Sequence, residues 1–268
     1  MAHLSQTAFI TGASSGIGAA FARHLAAEGY NLILHGRRRE LLEELCSTLS
    51  RNHNVKAEFI VAELSRSEDV RRLEDRIRNT PDLALLINNA GYSSLKNFHE
   101  EEIDGQENII RVHVICSVRL THAAIPVMLA RGGGSVINVS SVAAWMVSPG
   151  SVTYCATKLY LNSFTESLHL ELRDSGIRLQ ALCPGYTVSD FHSRLGYDTS
   201  GDFFKHFMSP DAVVEKSLRD LKHGRVICIP GARYRLAVMV ARYLPRTVFY
   251  GVVETFRKVN KQRKGKPL

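Results

Sequence analysis

Thr7-Ala8-Phe9-Ile10-Thr11-Gly12-Ala13-Ser14-Ser15-Gly16-Ile17-Gly18 is the stretch on which the reading of the chain turns. Its first residues form an apolar run suited to a short buried strand. Phe21, Leu25 and Ala26 come next at helical spacing. A strand, a tight glycine turn and a helix N-terminus make an anion site, because free backbone N–H groups and the positive end of the helix dipole converge above the turn. Gly12 permits the sharp turn, Gly16 lets backbone approach a pyrophosphate, and Gly18 lets the helix pack close on the strand. The spacing is Gly-x-x-x-Gly-x-Gly, not the commoner Gly-x-Gly-x-x-Gly. Such a turn is often purely structural, so its meaning depends on the rest of the chain.

Strand and helix signals then alternate. Strands are predicted at 31–35, 56–61, 83–88, 135–140, 177–183 and 225–229. Helices are predicted at 38–50, 67–78, 103–130, 151–174 and 210–222. Alternation of this kind implies right-handed crossovers and a Rossmann-type, doubly wound parallel sheet of about seven strands, an α/β fold with helices on both faces. Ligands bind such sheets beyond the carboxyl ends of the strands. The residues at those ends are Gly12, Arg37, Glu63, Asn88, Ser141 and Pro184. From Ser189 to about Met208 the pattern fails, and acids and glycines mix with Phe191, Phe203, Phe204 and Phe207, as suits a lid over a substrate pocket.

The 268 residues divide into a cofactor-binding catalytic domain over 1–231, with a lid region at 189–222, and a C-terminal extension over 232–268. A strand beginning by Thr7 leaves no room for a cleavable leader. Five cysteines, odd in number and without Cys-x-x-Cys spacing, read as free thiols in a reducing, cytoplasmic setting with no metal framework. The net charge is +8, but from Arg233 onward ten Lys and Arg stand against Glu254 alone, so the tail accounts for all of it. The near-neutral body argues against nucleic acid as a partner. Arg242, Pro245 and Arg246 interrupt the apolar residues of the tail, which therefore reads as two amphipathic helices either side of Pro245. These helices either lie on an anionic membrane surface, through 233–268, or cover the pocket.

Three further features carry chemistry: Asn88-Asn89-Ala90-Gly91, Ser140-Ser141 and Tyr154-Cys155-Ala156-Thr157-Lys158. Tyr154 and Lys158 are i and i+4 and share a helical face. A lysine beside a tyrosine favours the phenolate and is expected to lower the hydroxyl's pKa from its ordinary ~10, as an acid/base group at neutral pH requires. Ser141 can hydrogen-bond an oxygen being formed or lost.

Taken in order, Thr11 to Gly18, Asn88 to Gly91, Ser141, Tyr154, Lys158 and Pro184-Gly185 resemble the short-chain dehydrogenase/reductase family, over nearly all of the chain before the tail. The resemblance implies an oxidoreductase that moves hydride between a nicotinamide and a carbonyl or secondary alcohol, and the phenylalanines of the lid region suggest an apolar substrate. It casts Tyr154 as proton donor, Lys158 as the group that tunes it and holds the ribose, and Ser141 as the residue that positions the substrate oxygen. The implied cofactor contacts are Gly12, Ser14, Ser15, Gly16, Ile17, Gly18, Glu63, Leu64, Asn89, Ala90, Gly91, Tyr154, Lys158, Pro184, Gly185 and Thr187. The family more often has Asp at the place of Glu63. It usually places an Asn in the long helix to hold a water on the proton path; His113 stands there, and Asn108 is out of register. A neutral His113 is expected to accept from that water and donate to a helix carbonyl, with its pKa held down by Lys158.

Gly36 takes the place of the family's NAD-selecting Asp and Arg37 comes directly after it, so NADP(H) is expected over NAD(H), with Arg37 on the 2′-phosphate. The family also implies a homodimer or homotetramer. The same residues fit a second class, an NADP(H)-binding regulator with little turnover. The complete Ser141, Tyr154 and Lys158 set favours the enzyme, and His113 favours the regulator.

Overall fold

The computed structural model describes residues 6–94, 96–188 and 207–264, with side chains to 255. In chain order its strands are β1 (Thr7–Ile10), β2 (Asn31–Gly36), β3 (Ala57–Val61), β4 (Leu83–Asn88), β5 (Gly134–Val139), β6 (Ile177–Leu182) and β7 (Ile227–Cys228). They form one parallel sheet in the order β3-β2-β1-β4-β5-β6-β7. Ile10 stands opposite both Leu34 of β2 and Ile87 of β4, so the winding reverses beside β1. A parallel strand covered on both faces has to be apolar throughout, and β1 and β4 are buried at every position.

The covering helices are α1 (Gly16–Ala27), α2 (Arg39–His53), α3 (Ser67–Arg78), α4 (Ile103–Ile110), α5 (Cys116–Ala130), α6 (Val152–Glu171) and α7 (Pro210–Lys222). Phe21, Leu25, Leu42, Leu49, Val213 and Leu218 bring α1, α2 and α7 into one core. Leu73, Ile77, Leu120 and Met128 bring α3 and α5 into a second core. Local chemistry sets the ends. Ser209 Oγ accepts from the Ala212 N–H at 3.2 Å and Pro210 occupies the first turn of α7. α2 stops at Asn54, whose φ of 54° is left-handed.

The run expected as one helix over 103–130 carries a π-helical turn, Arg111–Ile115, between α4 and α5. The last strand is shorter than the expected 225–229, because only Ile227 and Cys228 pair with β6 before Pro230. Within the stretch assigned to a lid, residues 189–206 lie outside the described residues. Val213 and Val214 of α7 are wholly buried.

Two helices flank Pro245, α8 (Ala232–Tyr243) and α9 (Arg246–Lys264). α8 packs on the 3-10 turn Val142–Trp145 and buries Val238 and Ala241. On its outer side Leu236, Met239, Val240 and Tyr243 are exposed, at i, i+3, i+4 and i+7.

Candidate active site

The glycine turn lies between the carboxyl ends of β1 and β4. Gly12 (φ 66°) and Gly16 (φ 56°) adopt the left-handed backbone that side chains resist. A Cβ on Gly18 would lie 2.3 Å from the Gly12 carbonyl oxygen, so only a bare residue lets α1 start here. Thr11 Oγ1 accepts from the N–H groups of Asn89 (2.9 Å) and Ala90 (3.0 Å). Asn89 Nδ2 donates back to the carbonyls of Thr11 (2.9 Å) and Gly12 (3.0 Å). The Asn89 amide is thus used to bind the turn to the end of β4. From β2, His35 Nδ1 accepts from the Gly12 N–H at 3.4 Å while Nε2 donates to the Ala62 carbonyl at 3.1 Å. Burial pushes His35 down to about 4, which keeps it neutral in this bridge.

Ser15 makes no side-chain cap on α1, so the N–H groups of Gly16, Ile17 and Gly18 face the space above the turn. Bare backbone and convergent donors fit the pyrophosphate of a dinucleotide. At the rim, Arg37 Nη1 donates to Glu63 Oε2 at 3.2 Å, with Leu64 buried beside them. Sequence reasoning passed over Arg38, whose Nη2 donates to the Ser14 hydroxyl (3.2 Å) and carbonyl (3.3 Å). Three consecutive arginines after β2, Arg37 to Arg39, were the available signal.

Ser141, Tyr154 and Lys158 meet where β5 ends. Ser141 Oγ accepts from the Ala143 N–H at 3.1 Å, capping the 3-10 turn, and its hydroxyl also bonds the Tyr154 phenol. Lys158 is 4 % exposed; its Nζ donates to the Val139 carbonyl at 2.8 Å and stands 5.5 Å from the Tyr154 ring centre. The lowered phenol pKa expected from this pairing is not found. Burial pushes Tyr154 up to about 12 against the Ser141 bond, and burial brings Lys158 down to about 8. Desolvation penalises the charged form of each group and is the largest cause of both shifts.

His113, in the π-helical turn, is 1 % exposed. Its Nε2 accepts from the Tyr92 N–H at 3.1 Å and its Nδ1 bonds Thr157 Oγ1 at 2.9 Å. Its ring meets Tyr154 edge to face at 5.6 Å. The acceptor expected for a water is therefore taken by Tyr92, and the expected helix carbonyl is replaced by the Thr157 hydroxyl. Its pKa is held well below the ordinary histidine value, first by burial and then by Lys158. Gly91 passes so close that a Cβ there would lie 2.8 Å from His113 Nε2.

After β6, the Pro184 carbonyl accepts from the Val142 N–H at 3.1 Å and the Gly185 carbonyl from the buried Thr187 hydroxyl at 3.0 Å. Tyr234 of α8 lies over Gly185, where a Cβ would be 2.3 Å from its ring, and its hydroxyl donates to the Tyr186 carbonyl at 3.3 Å. This contact was not foreseen. Phe98, Ile109 and Val152 line a cleft that opens at Tyr154. Cys155 and Cys183 are buried free thiols; burial pushes Cys183 up to about 12, so it is a packing group.

A doubly wound sheet with a glycine turn at its switch point and a Ser-Tyr-Lys cluster one strand away defines a nucleotide-dependent oxidoreductase scaffold. The chain belongs to the short chain dehydrogenase family, whose model matches residues 6–199. It is 32% identical over 179 residues to hydroxysteroid dehydrogenase-like protein 1 of Gallus gallus, which covers 66% of this chain and 54% of that protein. The chain thus spans only about half the length of that relative. A short-chain dehydrogenase from Sphingobium yanoikuyae, solved in complex with NADPH, superposes with a TM-score of 0.79 at 28% identity, over 98% of this chain and 96% of the other. A bulky-bulky ketone specific alcohol dehydrogenase from Comamonas testosteroni gives 0.77 at 28% identity, over 90% and 100% of the two chains.

Proposed function

We propose that this chain interconverts a carbonyl compound and a secondary alcohol with NADP(H), on an apolar substrate. The observation that carries the reading is the cluster of Ser141, Tyr154 and the buried Lys158 where β5 ends. When bound, the cofactor supplies or accepts hydride at its nicotinamide. The turn from Gly12 to Gly18 holds the pyrophosphate, and Arg37 with Arg38 supplies cations beside Gly36, where an acid would repel a phosphate. In reduction, Tyr154 gives its proton to the substrate oxygen, and a phenol held near 12 is in the donating form at neutral pH. Ser141 holds the same oxygen. The Lys158 ammonium stabilises the phenolate left behind. Phe98, Ile109 and Val152 give the cleft, which is also lined by Lys96, Gln106 and Thr153, an apolar part that supports an apolar substrate.

Exposed Ile110, Ile115, Leu159 and Tyr160 on the long helices support a homodimer, and five buried free thiols suit the cytoplasm. The apolar stripe of α8, among the arginines of the tail, supports rest on an anionic lipid surface.

The test is NADPH oxidation against a panel of apolar ketones and aldehydes. Wild type should turn over at least one of them. Tyr154→Phe should lose about a thousandfold or more in kcat while NADPH titrations stay at the wild-type affinity. NADPH binding with no turnover by wild type would return the chain to the regulator class.

A further inference from the structure

Both ring nitrogens of His113 are engaged by protein groups on different arms of the site, and the chemistry of those groups fixes the proton. The Tyr92 peptide nitrogen can only donate, so Nε2 is the acceptor at 3.1 Å. The Thr157 hydroxyl donates its one hydrogen to the Tyr154 carbonyl at 2.8 Å, so toward Nδ1, at 2.9 Å, it can only accept. The imidazole is therefore the neutral Nδ1–H tautomer. Tyr92 comes just after Asn89-Ala90-Gly91, the loop that leaves β4, whereas Thr157 is on α6 between Tyr154 and Lys158. The π-helical turn brings the ring to the junction of these two arms, and the edge of Tyr154 closes over it.

We propose that His113 is a positioning residue whose ring clamps the cofactor-side loop, through the Tyr92 amide, to the Tyr154 helix, through the Thr157 hydroxyl. The clamp holds the proton donor in register with the loop that lines the cofactor. Protonation would place a hydrogen on Nε2, against the Tyr92 N–H, and break the first arm. The groups around the ring disfavour that state: the Lys158 ammonium from α6, the neutral Tyr154 phenol from the same helix, and the Tyr92 side chain from the loop. The clamp is thus expected to persist across the working pH range. The kinetic part of this inference rests on the hydride-transfer reading above, and the spectroscopic part does not.

The test has two arms, both on the full chain. In protein labelled with 15N-histidine, with and without NADPH, the His113 signals are assigned by their absence in His113→Asn. They should report a proton on Nδ1 and no titration from about pH 8 to about pH 5. A proton on Nε2, or titration near the ordinary ~6.5, would overturn the clamp. In the second arm, Thr157→Val keeps the branched shape and removes only the hydroxyl. It should lower kcat about tenfold, with the KM for NADPH changed less than about twofold, the scale of one lost hydrogen bond. Combining it with His113→Asn should cost no more than the larger single loss, because both break one linkage. Losses that multiply to about a hundredfold, or a wild-type rate in Thr157→Val, would also overturn it. If wild type reduces no carbonyl compound, the hydride-transfer reading fails, and the 15N arm still decides the clamp.

Discussion

Lys158 holds its charge where a cation is costly. Its pKa falls from 10.5 to about 8, so between those values the unfolded chain binds more protons than the folded one. Stability from this residue therefore rises with pH through that window, and the full penalty, on the order of 3 kcal/mol, is present below about pH 8. Lys158→Met is expected to abolish turnover yet raise the melting temperature at pH 7, with the gain shrinking as pH climbs past about 8. A lower melting temperature would mean that the Val139 carbonyl and its surroundings compensate the ammonium after all. The rim arginines divide differently. Arg37 is tied to Glu63, whereas Arg38 rests on Ser14. Arg37→Ala and Arg38→Ala should each weaken NADPH about tenfold or more and leave NADH nearly untouched, since only the former cofactor has a 2′-phosphate. Titration of both cofactors reads this, and equal losses for the two would remove the phosphate assignment. Of these residues the sequence pointed to Arg37 alone, through its place after β2. It could not reveal which arginine bends over the turn, because that depends on rotamers set by Ser14 and Glu63.

Elements were legible wherever periodicity was strong. α3 and β4 lie within a residue of their expected bounds because charged and apolar positions alternate cleanly and Pro81-Asp82 separates them. The π-helical turn was not legible. Ile109, Val112, Cys116 and Leu120 keep helical spacing straight through it, so no break in pattern marks the extra residue. The seat of α8 was equally hidden, since Tyr234 meets Gly185 from almost fifty positions away and only folding brings them together. That contact seats a C-terminal helix on the loop that follows β6. Tyr234→Ala should raise the KM of a carbonyl substrate about tenfold, the scale of one aromatic contact, and change kcat little. Unchanged steady-state constants would reduce α8 to packing.

At the scale of the molecule, charge and apolar surface coincide at one end of the chain. The stripe Leu236, Met239, Val240 and Tyr243 lies among Arg233, Arg235, Arg242 and Arg246, while the rest of the chain is close to neutral. The protein should therefore float with phosphatidylserine-containing vesicles and not with purely zwitterionic ones, and should be released by high salt. Leu236→Glu with Met239→Glu should abolish flotation and leave NADPH affinity as in wild type. Equal behaviour with both vesicle types would rule the surface out. A different consequence concerns how the chain can drift. His113 fills the space into which any side chain at Gly91 would have to project, 2.8 Å from Nε2. The two positions are therefore bound by epistasis. Descendants of this chain can shrink the ring first and fill the loop afterwards, but a lineage that starts at the glycine meets the imidazole and goes no further.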